Sequence, residues 1–329
     1  MPCGILLLGL SASPAAFAQS ALPTNTLPAA DVAYDPTRPN AAASGVSASS
    51  KPTEVEGAGK AKAFLWEVTS KTNVVYLFGT IHVGKRGFYP LPPQVEVALK
   101  QSPHRVVEAD ISNTEGLAGI EKVINYQPPD SLDKHIPGAL FTRLKAQLAR
   151  LQIPLEAVKP MKPYLISGFL SLSEFSRLGY DMNFGVDGYL IGKAKEDKKS
   201  ILELESQAGQ LKMLNGMSPS LQEAFLENAI NTLESGNAPD QVTGMVNAWQ
   251  SGDVKLMQEV AKSVNSNMRM RDELDEVLLY SRHDAMLRKI ENYLHGNVPH
   301  FVAVGSLHLV GPRGLVEMLK ARGFEVTQR

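Results

Sequence analysis

Two segments far apart in the chain carry the same chemical pattern. Val74-Val75-Tyr76-Leu77-Phe78-Gly79-Thr80-Ile81-His82 and Phe301-Val302-Ala303-Val304-Gly305-Ser306-Leu307-His308 each run from an apolar stretch into Gly, a small hydroxyl residue, an aliphatic residue and His. Glycine adopts backbone angles that other residues avoid, so a sharp turn is expected at Gly79 and at Gly305. His82 and His308 then lie just beyond the carboxyl ends of two strands, where open α/β sheets build their sites. Two imidazoles delivered this way point to a metal site or a general base.

Carboxylates occupy matching positions. Arg105 to Asp110 reads as a short strand ending in Glu108 and Asp110, and Lys199 to Glu205 as one ending in Glu203 and Glu205. Parallel strands would gather these ends on one edge of a sheet. Residues two apart share a strand face, so each pair of acids points one way. Imidazole with carboxylate suits Zn²⁺, Mn²⁺, Co²⁺ or Fe²⁺. Such an ion polarises a carbonyl and acidifies a bound water, and a carboxylate not bound to it can act as general base. The same acids would equally serve at the N-termini of following helices.

Other positions carry weaker signals. Asp187 in Gly185-Val186-Asp187 fits the N-cap of a helix Gly188 to Lys195. His283 in Arg282-His283-Asp284 fits a solvent-facing polar patch on a helix. His104, His135, His295 and His300 fall in loops or at element edges and receive no assignment. The chain has no His-Glu-x-x-His helix, no Gly-x-Ser-x-Gly elbow and no phosphate-binding Gly-Lys-Ser/Thr loop.

The positioning elements follow from periodicity. Ala63 to Thr69 and Val74 to Phe78 form a hairpin across the turn residues Ser70 to Asn73. A helix is expected over Pro90 to Ser102, opened by Pro92-Pro93. The middle of the chain is mostly helical: Phe141 to Leu151, Pro163 to Leu178, Pro219 to Ser235, Pro239 to Ser251, Asp253 to Val264 and Asp272 to Leu294. Strand His300 to Val304, a helix over Pro312 to Arg322 and strand Phe324 to Thr327 close it. Strands at both ends around a helical insertion imply an α/β fold with a single mixed β-sheet.

Composition narrows the class. The net charge of −1, without a basic patch, excludes nucleic acid as an expected partner. Residues 1–18 read as a signal peptide, with an apolar core at Gly4 to Leu10 and a small-x-small signal at Ala16-Phe17-Ala18. No Lys or Arg precedes that core, which leaves an upstream start or an atypical signal. Residues 19–60 are rich in Ala, Ser, Pro, Thr and Asn and read as a disordered linker. The folded domain spans 61–329, long enough for a sizeable core. The expected location is periplasmic or secreted, with no transmembrane helix in the mature chain. Cys3 is the only cysteine, so the mature chain would hold no disulfide, thiol nucleophile or Cys-bound zinc.

Five blocks in order resemble the TraB/GumN family, which includes the Tiki proteins and is related to the erythromycin-esterase (EreA)/ChaN-like group. They are Tyr76 to His82 with Leu91-Pro92, Val106 to Asp110, Gly185-Val186-Asp187, Leu204 to Gln207, and Ala303 to Gly311. The resemblance spans about residues 61 to 329 and implies an EreA/ChaN-like α/β sheet with a large helical insertion. It implies a metal-dependent hydrolase site, and through the Tiki branch a peptide cleavage that uses Mn or Co, with Zn kept open by the donor types. It selects His82, Glu108, Glu205 and His308 from the strand ends, with Asp187 in support. One departure is His283, where the family commonly has Asn after Arg282.

The reading is a metallohydrolase in which His82 and His308 are ligands and Glu108 is a ligand or the general base. Glu205 and Asp187 support them, and Arg282 stabilises an oxyanion or pairs with an acid. The substrate, a peptide or small molecule, and the oligomeric state stay open. Two other classes stay open with it: a non-enzymatic protein binding a small ligand or partner, and a metal-free, His-based esterase-like hydrolase.

Overall fold

The computed structural model of the chain describes residues 62–264 and 266–329. The expected signal peptide, Cys3 and the linker lie outside the described residues. Strands β1 (Leu65–Thr69), β2 (Val74–Thr80), β3 (His104–Val107), β4 (Ser200–Glu203), β5 (His300–Gly305) and β6 (Glu325–Gln328) form one mixed sheet. Their order is β4-β3-β5-β2-β1-β6. β1 and β2 are the expected hairpin, antiparallel with Val68 opposite Val75. Ser70 Oγ accepts from the Asn73 amide at 3.0 Å, which fixes the turn between them.

β2, β5, β3 and β4 are parallel, with Gly79 opposite Val304, Val107 opposite Ala303, and Val107 opposite Glu203. Their carboxyl ends therefore meet on one edge. This is the arrangement the apolar runs imply, because central parallel strands are buried on both faces. Val75, Leu77, Val106, Phe301, Val302 and Val304 are all buried. The Phe78 and Phe301 rings pack 5.7 Å apart across neighbouring strands.

Helices fill the connections. They are α1 (Pro93–Gln101), α2 (Ile120–Ile124), α3 (Gly138–Arg150), α4 (Leu155–Val158), α5 (Pro163–Arg177), α6 (Val186–Glu196) and α7 (Gln207–Asn215). Then come α8 (Pro219–Glu234), α9 (Ala238–Ser251), α10 (Val254–Val264), α11 (Arg271–Asp275), α12 (Ser281–Leu294) and α13 (Leu315–Ala321). Proline opens α1, α5 and α8, where the first turn has no use for its missing N–H. Ser218 caps α8 by accepting from the Leu221 amide at 3.2 Å. Tyr164 and Phe175 on α5 and Phe225 on α8 are fully buried. Each of the two phenylalanines contributes about 1.5–3 kcal/mol by leaving water. The helical layer is tied to the sheet at Trp249 of α9, whose indole N–H donates to the Gly79 carbonyl at 2.7 Å.

Two expectations need correction. The single helix Asp272 to Leu294 is interrupted by a π-helical turn over Glu276–Tyr280 between α11 and α12. Such wide turns favour functional places, because they shift the register of the residues that follow. The helix expected at Gly188 begins earlier, at Val186, with Gly185 at its cap position. Asp187 thus lies inside the first turn and is not its N-cap.

Candidate functional site

β2 and β5 deliver His82 and His308, but their glycines do not act as turn residues. Neither Gly79 nor Gly305 has a positive φ. What matters at both is space. A Cβ on Gly79 would lie 2.4 Å from Cδ1 of the buried Phe64. A Cβ on Gly305 would lie 3.6 Å from Glu108 Oε2, 3.6 Å from His308 Cδ2 and 4.0 Å from His82 Nε2. The first glycine makes room for the core, and the second leaves one Cβ-sized place bordered by Glu108, His308 and His82.

The carboxylates arrive by backbone pairing that outlasts the strands. Leu204 donates its amide to the Val107 carbonyl at 2.9 Å, and Glu205 donates to the Glu108 carbonyl at 2.8 Å. Glu108 and Glu205 therefore leave β3 and β4 side by side. Their neighbours are held elsewhere. Glu203 Oε1 accepts from the Asp110 amide at 2.7 Å, and Asp110 Oδ1 accepts from the Ser112 amide at 2.9 Å.

His82 is oriented by α6. The Val186 amide donates to the Ile81 carbonyl at 2.9 Å, so the start of this helix lies against the end of β2. Gly185 is required there, since a Cβ would come within 2.3 Å of the His82 carbonyl oxygen. Asp187 then reaches His82, with Nδ1 and Oδ2 2.6 Å apart. Its other oxygen accepts from Thr80 Oγ1 at 2.8 Å, and the Thr80 carbonyl accepts from Ser306 Oγ at 2.8 Å. The hydroxyls of the two repeated segments thus brace the site. Their repetition was the visible signal for a shared role. Burial works against a charge on His82, but the charge and hydrogen bond of Asp187 prevail and hold its pKa above the ordinary value.

Arg282 occupies the centre of the cluster. It is buried and donates to Glu108 Oε1 through Nη2, to Glu205 Oε1 through Nε at 3.0 Å, and to the Leu278 carbonyl of the π-helical turn at 2.8 Å. Its Nη1 lies 3.1 Å from His308 Nε2. Burial disfavours the Glu108 carboxylate, yet Arg282, aided by the Gly305 amide at 3.1 Å, holds its pKa well below the usual range. Gln210 of α7 joins the two acids, with Nε2 2.8 Å from Glu108 Oε1 and 3.0 Å from Glu205 Oε2. No sequence signal pointed to Gln210, because α7 was not expected as a helix.

His283 is not part of a solvent-facing patch. It is 2% exposed, with Nε2 2.9 Å from His308 Nδ1 and Nδ1 2.8 Å from the Arg313 carbonyl. The π-helical turn precedes α12 directly, so the adjacent residues Arg282 and His283 both reach the cluster.

The fold thus brings His82, Glu108, Asp187, Glu205, Arg282 and His308 together. It does not set them out as a ready ligand cage: among the described residues, no group of three or more His, Cys, Asp or Glu side chains is arranged to hold a metal ion. The reason is Arg282, which already takes His308 Nε2 and Glu108 Oε1. Glu108 Oε2 already accepts from the Gly305 amide at 3.1 Å, so its second lone pair and His82 Nε2 are the donors that remain. Solvent reaches the cluster from the side of His82, Asp187 and Glu205, whose side chains are 11%, 12% and 18% exposed.

The chain is similar in sequence to known proteins. YbaP of Escherichia coli, an uncharacterised protein, is 26% identical over 251 residues, which is 74% of this chain and 87% of that protein. A protein named metalloprotease TIKI homolog from Nematostella vectensis is 22% identical over 316 residues, 80% of this chain and 66% of its own length. Metalloprotease TIKI1 of Danio rerio is 22% identical over 313 residues, 80% of this chain and 62% of its own length. The chain therefore spans less than two thirds of these Tiki relatives. No solved structure matches. A family profile matches residues 64–328, nearly the whole described fold, and by that match the chain belongs to the TraB/PrgY/gumN family.

Proposed function

We propose that this protein is a hydrolase, with peptides as the leading substrate class, and that its reaction depends on a divalent cation at the opening above Gly305. The observation that carries this reading is the gathering of His82 Nε2, Glu108 Oε2 and the His308 ring edge within 4.0 Å of the place a Cβ would take at Gly305. Distant relatives named metalloprotease support the reaction class. The donors fit Mn²⁺, Co²⁺ or Zn²⁺ in kind. His82 Nε2 and Glu108 Oε2 would hold the ion, and His308 would join them once Arg282 withdraws from its Nε2. A bound ion would polarise the substrate carbonyl and acidify a water.

The protein's own groups have separable tasks. Asp187 accepts from His82 Nδ1, which fixes the tautomer and leaves Nε2 facing the opening. Glu108, kept ionised by Arg282, is better suited to hold a cation than to take a proton. Arg282 is the charge nearest the acids and is placed to stabilise an anion that develops beside them. Glu205 holds Arg282, and Asp187 holds His82.

A metal-free reading has one observation in its favour, the guanidinium already seated on Glu108 and His308. In that case His82 Nε2 takes a proton from water directly, with Asp187 behind it as in other His-based hydrolases. Elemental analysis of the purified chain and of His82→Ala and His308→Ala, with peptide hydrolysis before and after chelation, separates the two. Metal-dependent hydrolysis and loss of bound Mn²⁺, Co²⁺ or Zn²⁺ in both variants supports the first reading. Hydrolysis indifferent to chelator supports the second, and unchanged metal content in both variants ends the first.

The N-terminal pattern supports a periplasmic or secreted location. Among the described residues no helix is long and apolar enough to cross a membrane. A mature N-terminus at Gln19 in extracytoplasmic material is the expected result, and a full-length cytoplasmic chain would refute it.

A further inference from the structure

His283 stands outside every role given above, and its hydrogen bonds fix a proton position in the cluster. The chain of contacts runs Arg282 Nη1 to His308 Nε2 at 3.1 Å, His308 Nδ1 to His283 Nε2 at 2.9 Å, and His283 Nδ1 to the Arg313 carbonyl at 2.8 Å. Its two ends have fixed polarity. A guanidinium only donates and a carbonyl only accepts. His308 Nε2 must therefore be a lone pair, and His283 Nδ1 must carry a hydrogen. A neutral His308 without a hydrogen on Nε2 carries it on Nδ1, and it donates that hydrogen to His283 Nε2.

The opposite direction fails. If His283 donated to His308, the His308 hydrogen would sit on Nε2, facing the N–H of Arg282. Donor would meet donor inside a buried site where no water could relieve it, since His308 is 1% and His283 2% exposed. Only one set of proton positions satisfies all three contacts.

We propose that His283 is a positioning residue: it accepts the Nδ1 proton of His308 and so leaves the His308 Nε2 lone pair to accept from Arg282. This is the form in which His308 can bind a cation or hold the guanidinium, and the other tautomer can do neither. His283 is in turn held by the Arg313 carbonyl and packs edge-on against Tyr280, at 5.7 Å between ring centroids. Tyr280 belongs to the π-helical turn, so the same irregularity that admits Arg282 also seats His283. The value of this tautomer to catalysis rests on the function proposed above, but the tautomer itself does not.

Nitrogen NMR of the full chain labelled at its histidines tests this without any activity. Long-range proton–nitrogen correlations distinguish the Nδ1–H from the Nε2–H ring, and His308→Gln assigns the signal by its disappearance. The expected result is an Nδ1–H ring at His308 in the natural protein and in His283→Gln, whose amide oxygen reaches the place of the imidazole Nε2 as an acceptor. In His283→Phe the Nδ1–H of His308 loses its acceptor, so its signal should lose the hydrogen-bonded shift and its proton should exchange faster. An Nε2–H ring at His308 in the natural protein overturns the proposal, and this needs no variant to fold. A His308 Nδ1–H signal with unchanged shift and exchange rate in folded His283→Phe overturns it as well. A protein with the expected tautomer and no hydrolysis would count against the proposed function alone.

Discussion

Nδ1 of His82 lies 2.6 Å from Oδ2 of Asp187, a residue 105 positions later that enters the site on the first turn of α6. Asp187→Asn should reverse the polarity of this contact. Thr80 Oγ1 donates to the other oxygen at 2.8 Å and would keep the Asn carbonyl, so the Asn NH₂ would face His82 Nδ1. His82 would then carry its hydrogen on Nε2, closing the lone pair that faces the Gly305 opening. Loss of an orienting partner of this kind typically costs about 10–100-fold in activity or metal affinity. Hydrolysis rates and metal titration of a folded Asp187→Asn protein check it.

The same pair gives a pH signature. Burial opposes the His82 charge, but Asp187 outweighs burial, so the folded pKa lies above 6.5. Stabilisation from a raised pKa is fully present below the unfolded value and is lost as the pH rises through the folded value. In metal-free protein, the difference in unfolding free energy between wild type and Asp187→Asn should shrink from about pH 6 to about pH 9. Urea titrations at both ends measure it, and a constant difference would show that the pair carries no proton-linked stability.

Glu108 has the opposite sign. Burial pushes its pKa up, but Arg282 and the Gly305 amide hold it well below 4.5. Its contribution is present above 4.5 and is lost as the pH falls through the lower folded value. Glu108→Gln should cost about 1.5–3 kcal/mol at neutral pH, the range for hydrogen bonds to charged groups. The two unfolding curves should approach each other below about pH 4. Denaturant midpoints of both proteins across that range decide it.

The parallel edge was legible because its signals were local. Apolar runs of strand length, each ending in a polar residue, fixed which positions meet once the strands are parallel. The family motifs chose Glu108 and Glu205 over Asp110 and Glu203, and the backbone pairing beyond β3 and β4 shows the physical reason. What sequence reading missed depends on partners that only the fold supplies. His283 looks like a surface polar residue in Arg282-His283-Asp284, and nothing nearby reveals that His308 comes within 2.9 Å. Gln210 is hidden for the same reason. The π-helical turn at Glu276–Tyr280 leaves no mark in the apolar spacing. Gly79 and Gly305 were recognised as important, but for conformational freedom and not for the space that both provide.

Arg282 is the resident cation of the cluster, and its removal should let another cation in. Arg282→Met leaves the buried Glu108 beside the half-buried Glu205 without their counter-charge, a loss of up to about 3–5 kcal/mol. It also frees Glu108 Oε1 and His308 Nε2, which Arg282 otherwise holds. Mn²⁺ should then stabilise the variant more than the natural protein. At 100 times its dissociation constant a ligand adds about 2.7 kcal/mol. Thermal melts of both proteins with and without Mn²⁺ make the comparison. Equal shifts would mean that the guanidinium and the metal do not share donors.

The two matched glycines allow the last test, because they fail for different reasons. At Gly79 a methyl would strike the ring of Phe64, which is 1% exposed and has nowhere to go. Gly79→Ala should therefore lose about 1–3 kcal/mol of stability by overpacking. At Gly305 the backbone, with φ −51° and ψ 134°, suits alanine, and every neighbour of the added methyl stands 3.6 Å or more away. Gly305→Ala should melt within about 1 kcal/mol of the natural protein, since alanine also restricts the unfolded chain. Yet its methyl would stand in the opening between His82 Nε2, Glu108 Oε2 and His308, so bound metal and hydrolysis should fall at least about tenfold, or 1.4 kcal/mol. Calorimetry, metal analysis and a peptide assay on the two alanine variants read these effects separately. A Gly305→Ala protein that binds Mn²⁺ as well as the natural one would move the reactive face away from this glycine, to the exposed side of His82 and Glu205.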